Sequence, residues 1–238
     1  MASLILLPNV LHDGEEDIRR VFPAIVQDKV VSLHGLIAEN EKEARRYLKR
    51  FIFPEGRTFR EVPIRLLNEH TTPQELAELL EPLLSGETWG LISDAGLPCL
   101  ADPGANLVAL ARKKGVSIEA VSGPSSLFLA LMLSGLSAQN FTFHGYLERD
   151  PVRICSQIKE LEKKSQQFQQ TQLCIEAPYR SQSLLNALIK NLSPSTTLSI
   201  CVNLTAPDEL VWTFPVKEWL KKNLPDLHKK PTIFLFSA

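Results

Sequence analysis

The chain has 238 residues, 44% of them hydrophobic and 22% charged, and a net charge of −1. That size and composition predict a globular protein with one large core or two modest ones, and the near-neutral balance argues against a dedicated basic nucleic-acid domain. No apolar run approaches the roughly 20 residues that span a bilayer, and residues 1–8 lack the charged start and cleavage site of a secretory signal. A cytoplasmic protein without a membrane segment is therefore expected. The four cysteines, Cys99, Cys155, Cys174 and Cys201, form no Cys-x-x-Cys pair and have no histidines at zinc-finger spacing, so reduced thiols and no metal are expected. Residues 1–110 carry 11 Lys/Arg against 17 Asp/Glu, and residues 111–238 carry 15 against 10. This asymmetry hints at two domains, although surface charge alone can produce it.

In chain order, "SLILLP" (3–8) reads as a buried strand, and the acidic turn "HDGEED" opens a helix over residues 17–26. "VVSLHGLIAE" (30–39) reads as a second strand, residues 40–51 as a charged amphipathic helix, and residues 53–63 as loop. "IRLLN" is a short strand. Thr72, Pro73 and Glu75 then spell a capping box for a helix reaching about Leu84. "TWGLIS" (88–93) is the next strand, residues 104–115 a helix ended by glycine, and "VSIEAVS" (116–122) a strand. Residues 124–135 form a helix so apolar that deep burial is expected. Strands alternating with helices at this rhythm predict an α/β fold with a largely parallel sheet. "NFTFHGYL" (140–147) closes the first domain, residues 1–148. The polar segment "ERDPVR" starts a second domain, residues 149–238, whose consecutive strands predict a mixed sheet.

Ligands of open parallel sheets bind beyond the carboxyl ends of the strands. Ser93-Asp94-Ala95-Gly96 stands at such an end. Glycine admits close backbone approach and the aspartate accepts hydrogen bonds from an amine or hydroxyl, although an Asx turn explains the same residues. Asp102-Pro103-Gly104 reads as the structural start of a helix. Ser122-Gly123-Pro124-Ser125-Ser126 repeats the strand-turn-helix pattern, with amides and hydroxyls suited to a carboxylate or ribose, or to capping alone. In the second half Glu176 and Arg180, four apart, either pair with each other or serve a site. Arg45, Arg46, Lys49, Arg50, Arg57, Arg60 and Arg65 form a local basic cluster that suits an anionic substrate or a solvated face. Walker, G-x-G-x-x-G, H-E-x-x-H and G-x-S-x-G signatures are absent.

Taken together, "SDAGLPCLADPG", "SGPSS", "FTFHGYL" and "IEAPYR" resemble the tetrapyrrole methylase superfamily of class III S-adenosylmethionine-dependent methyltransferases. Within it the likeness is greatest to the group that methylates ribose 2′-hydroxyls of small-subunit ribosomal RNA. The resemblance implies two α/β domains with an interdomain cofactor cleft, a homodimer, and S-adenosylmethionine as cofactor. Carried over by position, it implies a cofactor site of Pro8, Asp94, Gly96, Leu97, Ser125 and Ser126, with Ala177, Leu204, Thr205 and Pro231 from the second domain. Glu39 and Glu176 are the candidate catalytic groups for taking a proton from the acceptor hydroxyl, with Arg180 orienting an anionic substrate.

The departures fall on the acceptor side. Where the ribosomal group begins Pro-Thr-Pro-Ile-Gly-Asn-Leu, this chain has Leu7-Pro8-Asn9-Val10-Leu11; Glu-Asp-Thr-Arg becomes Glu39-Asn40-Glu41-Lys42, and Glu-Leu-Thr-Lys becomes Asn203-Leu204-Thr205-Ala206. The primary expectation is methylation of small-subunit ribosomal RNA. The alternatives are a tetrapyrrole or other small-molecule acceptor, and a cofactor-binding relic without turnover.

Overall fold

The computed structural model describes residues 3–12, 14 and 18–238; Asp13 and residues 15–17 of the acidic turn lie outside the described residues. The chain divides into two compact units, Met1–Ser125 and Ser126–Ala238. The first holds β1 (Ser3–Leu6), a 3-10 turn (Ile18–Arg20), α1 (Ile25–Ser32), β2 (Gly35–Ala38), α2 (Glu41–Lys49), β3 (Ile64–Leu66), α3 (Pro73–Glu78), α4 (Glu81–Leu84), β4 (Trp89–Leu91), α5 (Gly104–Lys113) and β5 (Ser117–Ala120). Its five strands are all parallel, in the order β3-β2-β4-β1-β5.

Alternation along the strands builds a core on each face of this sheet. Ile5 and Leu36 join α1 and α2 in one core, and their neighbours Leu4 and Ile37 join the helices after β3 and β4 in the other. Local chemistry sets several element ends. The Asn40 side chain accepts from the Lys42 and Glu43 amides and caps α2. Thr72 and Glu75 complete the expected capping box of α3. The helix expected to reach Leu84 breaks into α3 and α4, because Pro82 has no amide to donate and its ring crowds the carbonyl four residues back. The strand expected over residues 30–39 is shorter than its β-branched start suggests. Val26 and Val30 are buried one helical turn apart, so packing draws Val30 and Val31 into α1 and leaves the strand to start at Gly35.

The second unit holds α6 (Ser126–Ser134), β6 (Phe141–Tyr146), α7 (Pro151–Phe168), β7 (Thr171–Glu176), α8 (Ser181–Asn191), β8 (Thr197–Val202), β9 (Leu210–Pro215), α9 (Val216–Trp219) and β10 (Thr232–Ser237). Its sheet runs β6-β7-β10-β8-β9, parallel only between β6 and β7. The chain is thus an α/β protein with one all-parallel and one mixed sheet. Strand β6 pairs with β7, and the Cys201 thiol and Thr213 hydroxyl of this sheet bond to the Ala130 and Ser134 carbonyls of α6. Helix α6 and strand β6 accordingly belong to the second unit, which begins at Ser126.

Helix α6 departs from its expected deep burial. Ala130, Leu131 and Ser134 are buried, whereas Phe128, Met132 and Leu133 are exposed, Met132 to 75%. A helix apolar on all sides buries only the face that meets a partner, and here the small residues Ala130 and Ser134 let the backbone sit close to the sheet.

Candidate functional site

Connections in the first unit diverge at one point. From β2 the chain leaves through α2 on one face to the edge strand β3, and from β4 it leaves through α5 on the other face to the opposite edge strand β5. Such a reversal opens a crevice between the carboxyl ends of the two strands. Glu39 follows β2 and Asp94 follows β4, so the two carboxylates flank it.

The loops that follow β1, β4 and β5 converge beside this crevice. The Asn9 amide donates to the Gly96 carbonyl at 2.7 Å, and Val121 donates to the Leu6 carbonyl at 2.9 Å. Gly96 has φ +74°, the left-handed region glycine enters without penalty. A Cβ at Gly123 would lie 2.1 Å from Pro8 Cβ, so the β1 and β5 loops touch at a spacing only glycine allows. Pro8, Gly96 and Ser125 are buried around this junction, and Leu97 is half-buried. Ser126 is the first residue of α6.

The electrostatics are those of a group of neighbouring acids, Glu39, Asp94 and Asp102. Burial raises the Glu39 carboxyl above its ordinary value of 4.5, helped by the charges of Asp94 and Asp102 and opposed by a backbone hydrogen bond from Asp94. Partial loss of water around its carboxyl and the Glu43 charge raise Asp94, whose residue as a whole is exposed, and burial raises Asp102 against hydrogen bonds from backbone amides. Asp94 is exposed, and among the described residues its carboxylate forms no hydrogen bond or ion pair. Asp102, by contrast, accepts from the Cys99 and Gly104 amides, each at 2.7 Å, and so closes the turn into α5, the structural role its motif suggests. Burial followed by the Asp102 charge pushes the neighbouring Cys99 thiol up to about 11, which keeps it protonated at neutral pH. Among the described residues no group of three His, Cys, Asp or Glu is arranged to hold a metal ion.

A carboxyl raised on folding binds more protons in the native than in the unfolded state, so its ionisation costs stability at neutral pH, and that cost vanishes as pH falls through the raised value. Glu39→Gln is expected to unfold at a higher temperature than the wild type at neutral pH, with the difference closing on acidification. Melting curves of the two proteins across pH check this, and a variant less stable at neutral pH would contradict it.

In the second unit, Glu176 and Arg180 are paired. Arg180 Nη2 lies 3.0 Å from Glu176 Oε2 and the Ala177 amide donates to Oε1 at 2.8 Å, with the Glu176 side chain almost fully buried. Asn203 and Thr205 have φ of +49° and +72°, an unusual backbone for a β-branched threonine. The turn is held by Asn203 donating to the Pro231 carbonyl at 3.0 Å and by the Thr205 amide donating to Glu209 Oε2 at 2.8 Å. Leu204 is buried, Ala177 half-buried, and Thr205 and Pro231 exposed. The structure therefore gathers Glu176, Ala177 and Arg180 at the end of β7, and joins the turn of Leu204 and Thr205 to Pro231.

Much of the basic cluster is structural. Arg45 donates to the carbonyls of Phe59, Arg60 and Val62, at 2.8 Å for Val62; Arg57 donates to those of Val31 and Leu33; Arg65 donates to Glu78 O at 2.6 Å and lies over the Trp89 ring. Arg46 pairs with Glu43 at 3.0 Å. Arg45→Ala is accordingly expected to cost about 1–2 kcal/mol, because three carbonyls lose a charged donor; a urea midpoint equal to that of the wild type would contradict the clasp. Sequence reading missed this and also missed Asn9, whose position after the first strand beside Pro8 was the one available signal.

The profile of the tetrapyrrole (corrin/porphyrin) methylases matches residues 20–219. The chain is 37% identical over 117 residues to ribosomal RNA small subunit methyltransferase I of Xylella fastidiosa, covering 49% of this chain and 40% of that protein. It is 30% identical over 164 residues to the protein of the same name from Vibrio cholerae, covering 69% and 56%. The chain thus spans about half the length of these relatives. The crystal structure of the methyltransferase CobJ has a similar fold, with a TM-score of 0.63 at 14% identity, over 99% of this chain and 93% of that one. By the extent of the profile match, the chain belongs to the tetrapyrrole (corrin/porphyrin) methylase family.

Proposed function

We propose that this protein is an S-adenosylmethionine-dependent methyltransferase that acts on a ribose 2′-hydroxyl of small-subunit ribosomal RNA. The observation that carries the cofactor assignment is the Asp94 carboxylate, without a partner among the described residues, beside Glu39 at the divergence of β2 and β4, within a chain of this family. Carboxylates that form no ion pair among the described residues, as those of Glu39 and Asp94, suit a ligand bearing an ammonium and a sulfonium. The names of the Xylella and Vibrio relatives support RNA as the acceptor.

The residues present fit such a cofactor. Asp94 would accept hydrogen bonds from the amino group, the Gly96 and Gly123 turns would admit it close to the backbone, and Ser125 would offer its amide or hydroxyl to a carboxylate or ribose. When bound, S-adenosylmethionine supplies an electrophilic methyl group. The protein's contribution is to hold the acceptor oxygen in line with that carbon and to take up the hydroxyl proton. Glu39, whose carboxyl holds a proton more readily than usual, is the better placed of the two candidate bases. Glu176 is committed to Arg180, and that pair serves positioning.

A small-molecule or tetrapyrrole acceptor is the second reading, favoured by the net charge of −1 and by the structural engagement of Arg45, Arg57 and Arg65. The exposed Phe128, Met132 and Leu133 of α6 support a homodimer. A ribosomal acceptor would place the reaction in the cytoplasm. Incubation of the protein with methyl-labelled S-adenosylmethionine and unmodified small subunits tests the proposal. Label in one ribose of the RNA supports it; label only in a small-molecule extract would move the second reading to first place.

A further inference from the structure

Asn9 is 3% exposed and every polar group of its side chain is used. Nδ2 donates to the Ser93 carbonyl and to the Asp94 carbonyl, each at 3.0 Å, while Oδ1 accepts from the Val10 amide at 2.9 Å. With its own amide on the Gly96 carbonyl, Asn9 reaches three of the four carbonyls of residues 93–96. The reason lies in the sheet. Strands β1 and β4 pair as far as Leu6 and Leu91, and the Leu7 amide adds a bond to the Leu91 carbonyl. Beyond that the chain after β4 turns away and the backbone ladder cannot follow it. The Asn9 side chain extends the ladder in its place. On the other side a backbone hydrogen bond links Asp94 to the Glu39 carboxylate. The peptide groups around Asp94 are thereby fixed from β1 and from β2, and the Asp94 side chain is the one polar group of that residue left for a ligand.

We infer that Asn9 is a positioning residue that presets the 93–96 loop for cofactor binding and acts on the cofactor through Asp94. The inference rests on the cofactor reading of the proposed function and adds to it a residue on a stretch where the chain departs from the ribosomal methyltransferase group.

Two variants separate this role from a local one. Asn9→Ser keeps an acceptor for the Val10 amide but is too short to reach the two carbonyls. Asn9→Asp keeps shape and acceptor but sets a carboxylate against both carbonyl oxygens. The wild type is first titrated with S-adenosylmethionine by calorimetry, and absence of binding there overturns the cofactor reading and this inference with it. Given wild-type binding, both variants are expected to weaken it by about 10-fold or more, as loss of two hydrogen bonds implies. The KM for the methyl donor should rise while kcat at saturating donor stays within about 2-fold, since the groups that touch the acceptor are retained. A merely structural role would lower the melting temperature and leave affinity unchanged in the still-folded protein; that result overturns the inference. If neither variant folds, the wild type decides by nuclear magnetic resonance. Side-chain amide protons of Asn9 protected from solvent before and after S-adenosylmethionine is added support a preset loop, and rapid exchange in the free protein overturns it.

Discussion

Replacing Asp94 by alanine is expected to weaken S-adenosylmethionine binding about 100-fold and to leave the melting temperature almost unchanged. The two effects separate because of where the side chain stands. Its carboxylate is exposed and bonds to nothing among the described residues, while its backbone carbonyl is held by Asn9. Deleting the carboxylate therefore removes no internal contact, and it relieves the repulsion that helps raise the Glu39 carboxyl. A charge-assisted hydrogen bond to an ammonium is worth roughly 1.5–3 kcal/mol, which sets the expected scale of the loss. Asp94→Asn separates charge from shape: if the negative charge carries the interaction, asparagine restores little of the affinity. Calorimetric titration alongside thermal melts reads both quantities. An unchanged affinity would return Asp94 to the role of a turn residue.

Gly123→Ala is expected to destabilise the fold by about 3 kcal/mol and to abolish cofactor binding together. An added Cβ would sit 2.1 Å from Pro8 Cβ and 2.7 Å from Pro8 Cγ. Proline has no rotamer by which to swing aside, and Pro8 is itself buried at the end of β1, so relief requires the two loops to separate. That separation would open the junction where Gly96 also meets the β5 loop, its added Cβ falling 3.5 Å from the Pro124 carbonyl. Urea unfolding of the variant checks the stability, and a midpoint within error of the wild type would show that the loops do not touch as described.

The parts of this fold legible in the sequence were those set by local chemistry. The capping box at Thr72 and Glu75, the Asn40 start of α2 and the alternation of strands with helices all depend on residues a few positions apart. The parts that were not legible depend on partners distant in the chain. Val30 and Val31 look like a strand until the core that draws Val30 into α1 is known. The arginines of residues 45–65 look like an anion-binding face, yet Arg45 is spent on carbonyls 14 to 17 residues away. The apolar sequence of α6 gave no sign of which side would meet the sheet. The candidate site divides the same way. Asp94 and Gly96 were marked by their motif, whereas Asn9 is defined by carbonyls 84 and 85 residues along the chain, and no local pattern encodes that.

The pairing of Glu39 with Asp94 was also hidden in the sequence, because it depends on strand order. Only when β2 and β4 are neighbours do their carboxyl ends bring the two acids together. That placement distinguishes the first-unit cluster from the Glu176–Arg180 pair, where a cation neutralises the acid from within the same segment.

Calorimetric titration of the purified protein with S-adenosylmethionine tests most directly whether the loops after β1, β4 and β5 bind that compound. Saturable binding at one site per chain, weakened about 100-fold in Asp94→Ala, is the predicted result. A folded wild-type protein that takes up no S-adenosylmethionine would contradict it.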